Sequence, residues 1–350
     1  MIKKMNKKND DVLTFIQVIC AFSVITLHTN GCFWKFDNHA GYWPSANIIE
    51  CLFYFAVPIF FMLTGITLID YQEKYSTKIF FEKRVKKTLF PYIVWCSIGI
   101  LYNLHVGYFN YDSIGIRTLL NEILTGQGII SVYWFFPCLF CVYLSVPLFA
   151  GVDKYKKNII FKYIIFIGIV FNIFIPFINK IFELQLTWQY TISVASGYIL
   201  WAVIGYEIYR HPIKKWQEII ICLACVAGFI MHAYGTYTLS FRDGAINDTF
   251  KGYNNLPCLM YSTGVFIILC KMAKKIMRRE ICKKIINFIG KFTFPIYLMH
   301  WFVIDLLLRH FNFDTTSLLW RIGAPIPIGL FIVGITWLLR KLPVLKEIVP

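Results

Sequence analysis

Apolar stretches of about 20 residues recur along the whole 350-residue chain, and they constrain its fold more than any other feature. At 1.5 Å rise per residue, about 20 residues cross the ~30 Å hydrocarbon core of a bilayer as a helix. In lipid, only a helix or a closed barrel satisfies its own backbone polar groups, and continuous apolar runs of this length belong to the helical kind. Ten such segments can be marked: residues 12–33, 48–69, 89–109, 129–149, 159–178, 190–209, 218–236, 256–272, 288–308 and 318–339. Composition agrees, since 58% of residues are hydrophobic and 15% charged, where a soluble domain has about 25% charged. The expectation is an all-α integral membrane protein of about ten transmembrane helices, forming a single membrane domain over residues 1–350.

A formal net charge of +16 invites a nucleic-acid reading, but its distribution argues for membrane orientation. Most of the 35 basic residues fall in alternate loops: Lys3, Lys4, Lys7 and Lys8; Lys78, Lys83, Arg84, Lys86 and Lys87; Lys154, Lys156 and Lys157; Arg210, Lys214 and Lys215; Lys271 to Lys284; and Arg340, Lys341 and Lys346. The intervening loops are poor in positive charge. By the positive-inside rule this fits an even number of crossings with both termini cytoplasmic. Membrane lipids are expected partners and nucleic acid is not. The first segment lacks a following small-residue cleavage site and reads as a retained span. Of the 11 cysteines, the CxxC pairs Cys138/Cys141 and Cys222/Cys225 lie inside apolar segments, where small packing residues are the reading and no metal site is expected.

Titratable residues inside spans are costly in lipid and therefore candidates for function. His28 lies about 25 Å up the first helix, in the outer half of the membrane. His300 lies nearer mid-depth on the ninth, with Asp305 above it, and Glu50 opens the second span from outside. These groups are expected to turn into a shared polar cavity or pair with one another. An imidazole titrates near neutrality and suits the role of general base toward a hydroxyl. His105, His211, His232 and His310 fall near span ends, where snorkelling is expected. No G-x-S-x-G or HExxH signature is present. The outer loop 237–255 is polar and aromatic; it either borders a carbohydrate site or only connects two spans.

Several stretches then carry a family likeness. The first helix ends in Val24-Ile-Thr-Leu-His28, and Ala56-Val-Pro58-Ile-Phe60-Phe61-Met-Leu-Thr64-Gly65 follows. Phe80-Phe-Glu-Lys-Arg84 leads to Pro91-Tyr92, Tyr133-Trp134-Phe135-Phe136 precedes Pro147, and Phe294-Pro-Ile-Tyr297-Leu-Met-His300 closes the set. In this order and spacing the chain resembles the acyltransferase 3 family of bacterial integral membrane O-acyltransferases. The resemblance implies a protein of the bacterial plasma membrane that moves an acyl group, usually acetyl from cytoplasmic acyl-CoA, to a hydroxyl of an extracytoplasmic glycan acceptor such as a surface polysaccharide or its lipid-linked precursor. By that resemblance His28 is the catalytic base, and Arg84 with Lys83 and Lys87 holds the donor's phosphates, which charge-assisted contacts suit. Trp134, Tyr297 and His300 would line the substrate cavity, and Glu50 joins them on the separate ground that it is an ionisable residue in a span. The chain departs from the family pattern at Gln17, where Arg is usual eleven residues before the histidine, at Val132, where many relatives have His, and mildly at Thr64. Two other functions fit the same spans: a proton-coupled transporter or flippase of a glycan intermediate, and a non-catalytic membrane partner built on the same fold.

Overall fold

The computed structural model describes residues 7–109, 115–128, 130–186, 190–343 and 345–350. Lys3 and Lys4 of the basic tail lie outside the described residues. Among these residues the chain is helical throughout, with fifteen α-helices. They are α1 (Lys7–Thr29), α2 (Trp43–Phe53), α3 (Ala56–Leu68), α4 (Thr77–Arg84), α5 (Phe90–His105), α6 (Ile116–Thr125), α7 (Phe135–Ala150), α8 (Lys157–Ile169), α9 (Ile175–Phe182), α10 (Gly197–Arg210), α11 (Lys215–Asp243), α12 (Leu256–Ile276), α13 (Glu280–Gly290), α14 (Thr293–His310) and α15 (Pro325–Leu339).

Seven helical stretches of the described residues are long and apolar enough to cross a bilayer, and an eighth arises if α13 and α14, bent by 64°, count as one broken span. Two of the ten apolar segments read from the sequence fall short of this. Helix α10 is 14 residues, about 21 Å at 1.5 Å per residue, whereas α5 follows α4 and a π-segment, Val85–Leu89, without a break and falls short in apolar character, not in length. Residues 190–196 precede α10 as irregular chain and a short 3₁₀ turn, not as the start of a span. Helix α10 is nevertheless buried along Leu200–Glu207, so protein replaces lipid around most of it.

Proline sets many of the breaks. Pro176 lies interior to the continuous helical stretch Lys157–Phe182, as read in sequence, whereas Pro58, Pro137 and Pro295 each fall in the first turn of an α-helix that begins after a turn or a 3₁₀ segment. The missing N–H costs nothing there, because the first-turn donors have no intrahelical partner. Pro147 also lies inside a helix. Segments of π-helix occupy Val85–Leu89, Val170–Phe174 and Leu319–Gly323.

Helix α1 runs through the centre of the bundle and packs on α2, α3, α12, α13, α14 and α15. Val12, Ile16, Cys20, Val24 and Ile25 are buried in the main core. Helices α3 and α10 approach closely because Gly65 faces the Ala202 backbone and Gly205 faces Met62; a Cβ on either glycine would overlap its neighbour. Such small-residue contacts let helices associate where lipid tails compete with every apolar side chain. Helix α11, 29 residues long, overhangs the bundle at the end where α1 finishes. There Tyr237 and Phe241 pack against Phe36 and Trp43. Gly244, at φ 65°, ends the helix in the left-handed region and turns the following loop back over the bundle.

Candidate functional site

Three small cavities follow α1 from its start to its end. The first, about 150 Å³, is lined by Leu13, Gln17, Thr64, Thr67, Arg84 and Tyr143 among others. The second, about 130 Å³, shares Gln17, Phe60, Thr64 and Tyr143 and reaches Phe135, Thr293 and Tyr297. The third, about 200 Å³, shares Tyr297 and contains His28, Glu50, Trp34, Tyr54, Trp134 and Tyr253. Gln17 and His28 lie eleven residues apart on one helix, about 17 Å of rise, so α1 is the common wall of all three.

In the third cavity His28 is half-buried and its ring centroid lies 5.0 Å from that of His300. His300 is fully buried. Its Nδ1 lies 2.7 Å from the Tyr297 carbonyl and 3.1 Å from that of Ile296. Two carbonyls accept only, so Nδ1 carries the hydrogen, and a neutral His300 keeps a bare lone pair on Nε2. That Nε2 has no partner and is shielded from solvent. Tyr297 donates its hydroxyl to the Val132 carbonyl at 2.6 Å, and Tyr133 donates to the Leu298 carbonyl at 2.8 Å, which clamps α14 to the chain entering α7. Position 132 thus contributes a backbone oxygen, and its apolar side chain is buried.

Glu50 does not open a span at the interface. It lies within α2 at 3% exposure, and its Oε1 accepts from Lys251 Nζ at 2.7 Å. Both side chains are almost wholly buried. The lysine also stands 3.8 Å from the Tyr54 ring centroid and about 5 Å from those of Phe33 and Trp34. Cation–π contact of this kind offsets part of the ammonium's lost hydration. Tyr253 stacks on Tyr54 at 4.2 Å and on Trp134 at 5.4 Å, forming an aromatic wall beside His28. The loop 244–255 therefore folds onto the cavity and is more than a connector. Trp201 Nε1 donates to the Tyr253 carbonyl at 3.2 Å and fixes it there.

Residues 11–340 match the model of the acyltransferase 3 family, described as an acyltransferase domain. The chain belongs to this family. Its apolar helices and that membership make it a multi-pass membrane protein. Similarity also extends to the probable poly-beta-1,6-N-acetyl-D-glucosamine export protein of Staphylococcus aureus (strain Mu50 / ATCC 700699), at 24% identity over 99% of this chain and 97% of the relative. No solved structure matches the chain.

The fold of this acyltransferase 3 protein brings His28, His300, Tyr297, Trp134 and Glu50 to one place. Of the three basic residues read as donor contacts, Arg84 alone lines a cavity; its Nε is buried without a partner, and its guanidinium lies between the Phe80 and Tyr143 rings. Lys83 instead stands over the Tyr75 ring at 3.8 Å, and Lys87 is exposed. Asp305, expected in the shared cavity or paired, takes the second course. It accepts from Tyr102 at 2.5 Å and from Arg309 at 2.6 Å, tying α14 to α5. His232 does not snorkel: it is buried at 0% exposure with its ring against Tyr54. Sequence reasoning missed Lys251 and Tyr253. The loop's mixture of one lysine with aromatic residues was their signal, but pairing with Glu50 is a contact across 201 positions that no local pattern contains.

Proposed function

We infer that this protein is a membrane O-acyltransferase that moves an acyl group, acetyl in the simplest case, from acyl-CoA at the cytoplasmic face to a hydroxyl of a cell-surface glycan or its lipid-linked precursor. The observation that carries the reading is the imidazole pair His28–His300 beside a cavity that shares Tyr297 with the middle one, which in turn shares Gln17 with the one lined by Arg84. A donor thioester supplies the activated acyl carbon. His28, the more accessible imidazole, takes the proton from the acceptor hydroxyl as its oxygen attacks that carbon. The carbon–sulfur bond breaks, and the proton on His28 passes to the departing thiolate. His300, held through Nδ1, packs its ring against that of His28 and restricts how His28 is oriented.

At the opposite end of α1, Arg84 offers an unpaired buried N–H, with Lys83, Lys86 and Lys87 around it, and this suits phosphate recognition. Gln17, on the wall of the same cavity, has an amide able to donate a hydrogen bond without adding charge. The reading takes ten crossings with both termini in the cytoplasm, which supports His28 on the outer side and Arg84 on the inner side, in the plasma membrane of a bacterium.

His28→Ala should abolish acylation of surface glycans, by about 10²–10⁴-fold for loss of a general base, while the protein still inserts. Mass analysis of glycans from cells carrying either form tests this. Unchanged acylation in the variant would sink the assignment. Export of a glycan is a second reading, favoured by the name of the staphylococcal relative. It requires glycan to reach the cell surface in a His28→Ala strain as in wild type, with no dependence on acyl-CoA.

A further inference from the structure

We propose that Glu50, held by Lys251, is a specificity residue that binds an acceptor hydroxyl beside His28, and that the charge-compensated cavity selects an uncharged pyranose over sugars bearing an amine or a carboxylate. The inference rests on the reading of this cavity as the acceptor's. Its basis is the state of the Glu50 carboxylate. Oε1 is bonded to Lys251 at 2.7 Å, whereas Oε2 is shielded from solvent and has no partner. A buried acceptor oxygen without a donor is rare and costly, and this one belongs to a residue that lines the cavity of His28. The proposed donor is a ligand hydroxyl, which reaches Oε2 with a small shift of the side chains that now shield it from the cavity.

The walls restrict what carries that hydroxyl. Trp134, Tyr253 and Tyr54 form a continuous stack, and Trp34 stands on the same cavity. Tyr253 is covered by Tyr54 and Trp134, and Lys251 stands over Tyr54, so the stack turns ring edges and hydroxyls to the cavity; Trp34 and Trp134 are the walls left to meet the C–H face of a sugar ring, with a few polar groups fixing orientation. About 200 Å³ is the space of roughly seven waters at about 30 Å³ each, enough for one ring and not for a chain segment. Charge then discriminates. Glu50 is the acidic residue on the wall, and the Lys251 ammonium cancels it at contact distance. A sugar ammonium entering here loses hydration and meets no net negative charge, and a uronate meets the Glu50 carboxylate.

Direct binding to the purified full-length protein in detergent tests this without needing acyl transfer. The probes are single-ring methyl glycosides of N-acetylhexosamine and of neutral hexose, with their de-N-acetylated and uronate counterparts. Wild type should bind at least one neutral probe and prefer it to its charged counterpart by roughly tenfold or more. Glu50→Gln should weaken the neutral probe by roughly tenfold to a hundredfold, the loss expected for a hydrogen bond to a charged group. Lys251→Met leaves the carboxylate bare and should reverse the preference toward the amine-bearing probe. The Glu50→Gln/Lys251→Met variant buries no lone charge; it should fold like wild type and bind every probe weakly. If Lys251→Met does not fold, the wild-type preference and the Glu50→Gln loss decide the matter. No neutral probe binding to wild type, an equal affinity for amine-bearing sugars, or an unchanged affinity in Glu50→Gln would each overturn the proposal. Selective binding without any acylation would instead sink the acyltransferase reading and leave the cavity's specificity standing.

Discussion

His300 illustrates how one buried side chain serves another. Its Nδ1–H is committed to the Tyr297 carbonyl, so the ring cannot rotate without leaving that N–H unmet in an apolar surround. The neighbouring His28 ring is bound to no protein group of comparable geometry among the described residues, which leaves it free to exchange a proton with a substrate. A positioning role for His300 predicts a particular kinetic signature. His300→Ala should lower kcat by about tenfold to a hundredfold with acceptor KM little changed, whereas loss of a purely structural histidine would lower the yield of folded protein and leave the kcat of the remainder intact. Arg84 makes the converse case. Its partnerless Nε predicts that Arg84→Gln raises the KM for acyl-CoA by about tenfold to a hundredfold, since a charge-assisted hydrogen bond contributes about 1.5–3 kcal/mol, and that kcat is less affected. Steady-state kinetics on membranes, varying donor and acceptor separately, check both. Equal losses for the two variants in the same parameter would mean that the two ends of α1 do not divide the work.

At the scale of elements, the apolar runs announce themselves in the sequence because lipid imposes one solvent on a helix's whole length. Their interruptions do not. A proline in an apolar run reads equally as an interior kink or as a first-turn residue, and the structure resolves Pro58 and Pro295 to the second. Residues 190–209 read as a span because their composition is apolar, but protein surrounds most of the short α10 and removes the need to match the bilayer. The His28 site was legible where it lies on regular helix, as at His28, Tyr297 and His300. The Lys251 contribution was not, because it depends on how a loop returns. Helices α3 and α10 show the physical cost of such close packing. Gly65→Leu would push a side chain into the Ala202 backbone, which cannot move aside as a flexible side chain would. Overpacking of this kind costs about 1–3 kcal/mol or more. Thermal unfolding of the detergent-solubilised protein should therefore begin several degrees lower, with Gly205→Leu giving a similar shift on the same interface; an unchanged transition in both would show that α3 and α10 do not pack so closely.

For the whole molecule, sidedness connects the fold to the chemistry. The three cavities along α1 have polar or charged residues at both ends, Arg84 at one and Glu50 with Lys251 at the other. The proposed reaction, with its donor and acceptor in opposite aqueous compartments, would use the two ends for the two substrates. The described residues hold seven or eight helical stretches apolar and long enough to span, and ten crossings require α5, which reaches spanning length with the π-segment before it, and the short α10 to traverse as well. A short helix crosses where its neighbours thin the bilayer or cover it, and α10 is covered. Single cysteines introduced at exposed loop positions in an otherwise cysteine-free chain decide the count. With ten crossings, positions 39 and 244 label from outside with a membrane-impermeant reagent, and positions 74, 155 and 279 label only after the membrane is opened. With eight crossings, the sequence of accessible and protected loops loses its alternation on either side of α5 or α10. If position 244 proved to be cytoplasmic while position 39 was external, the loop carrying Lys251 could not reach Glu50 across the bilayer. The buried ion pair and the cavity it closes would then both be wrong.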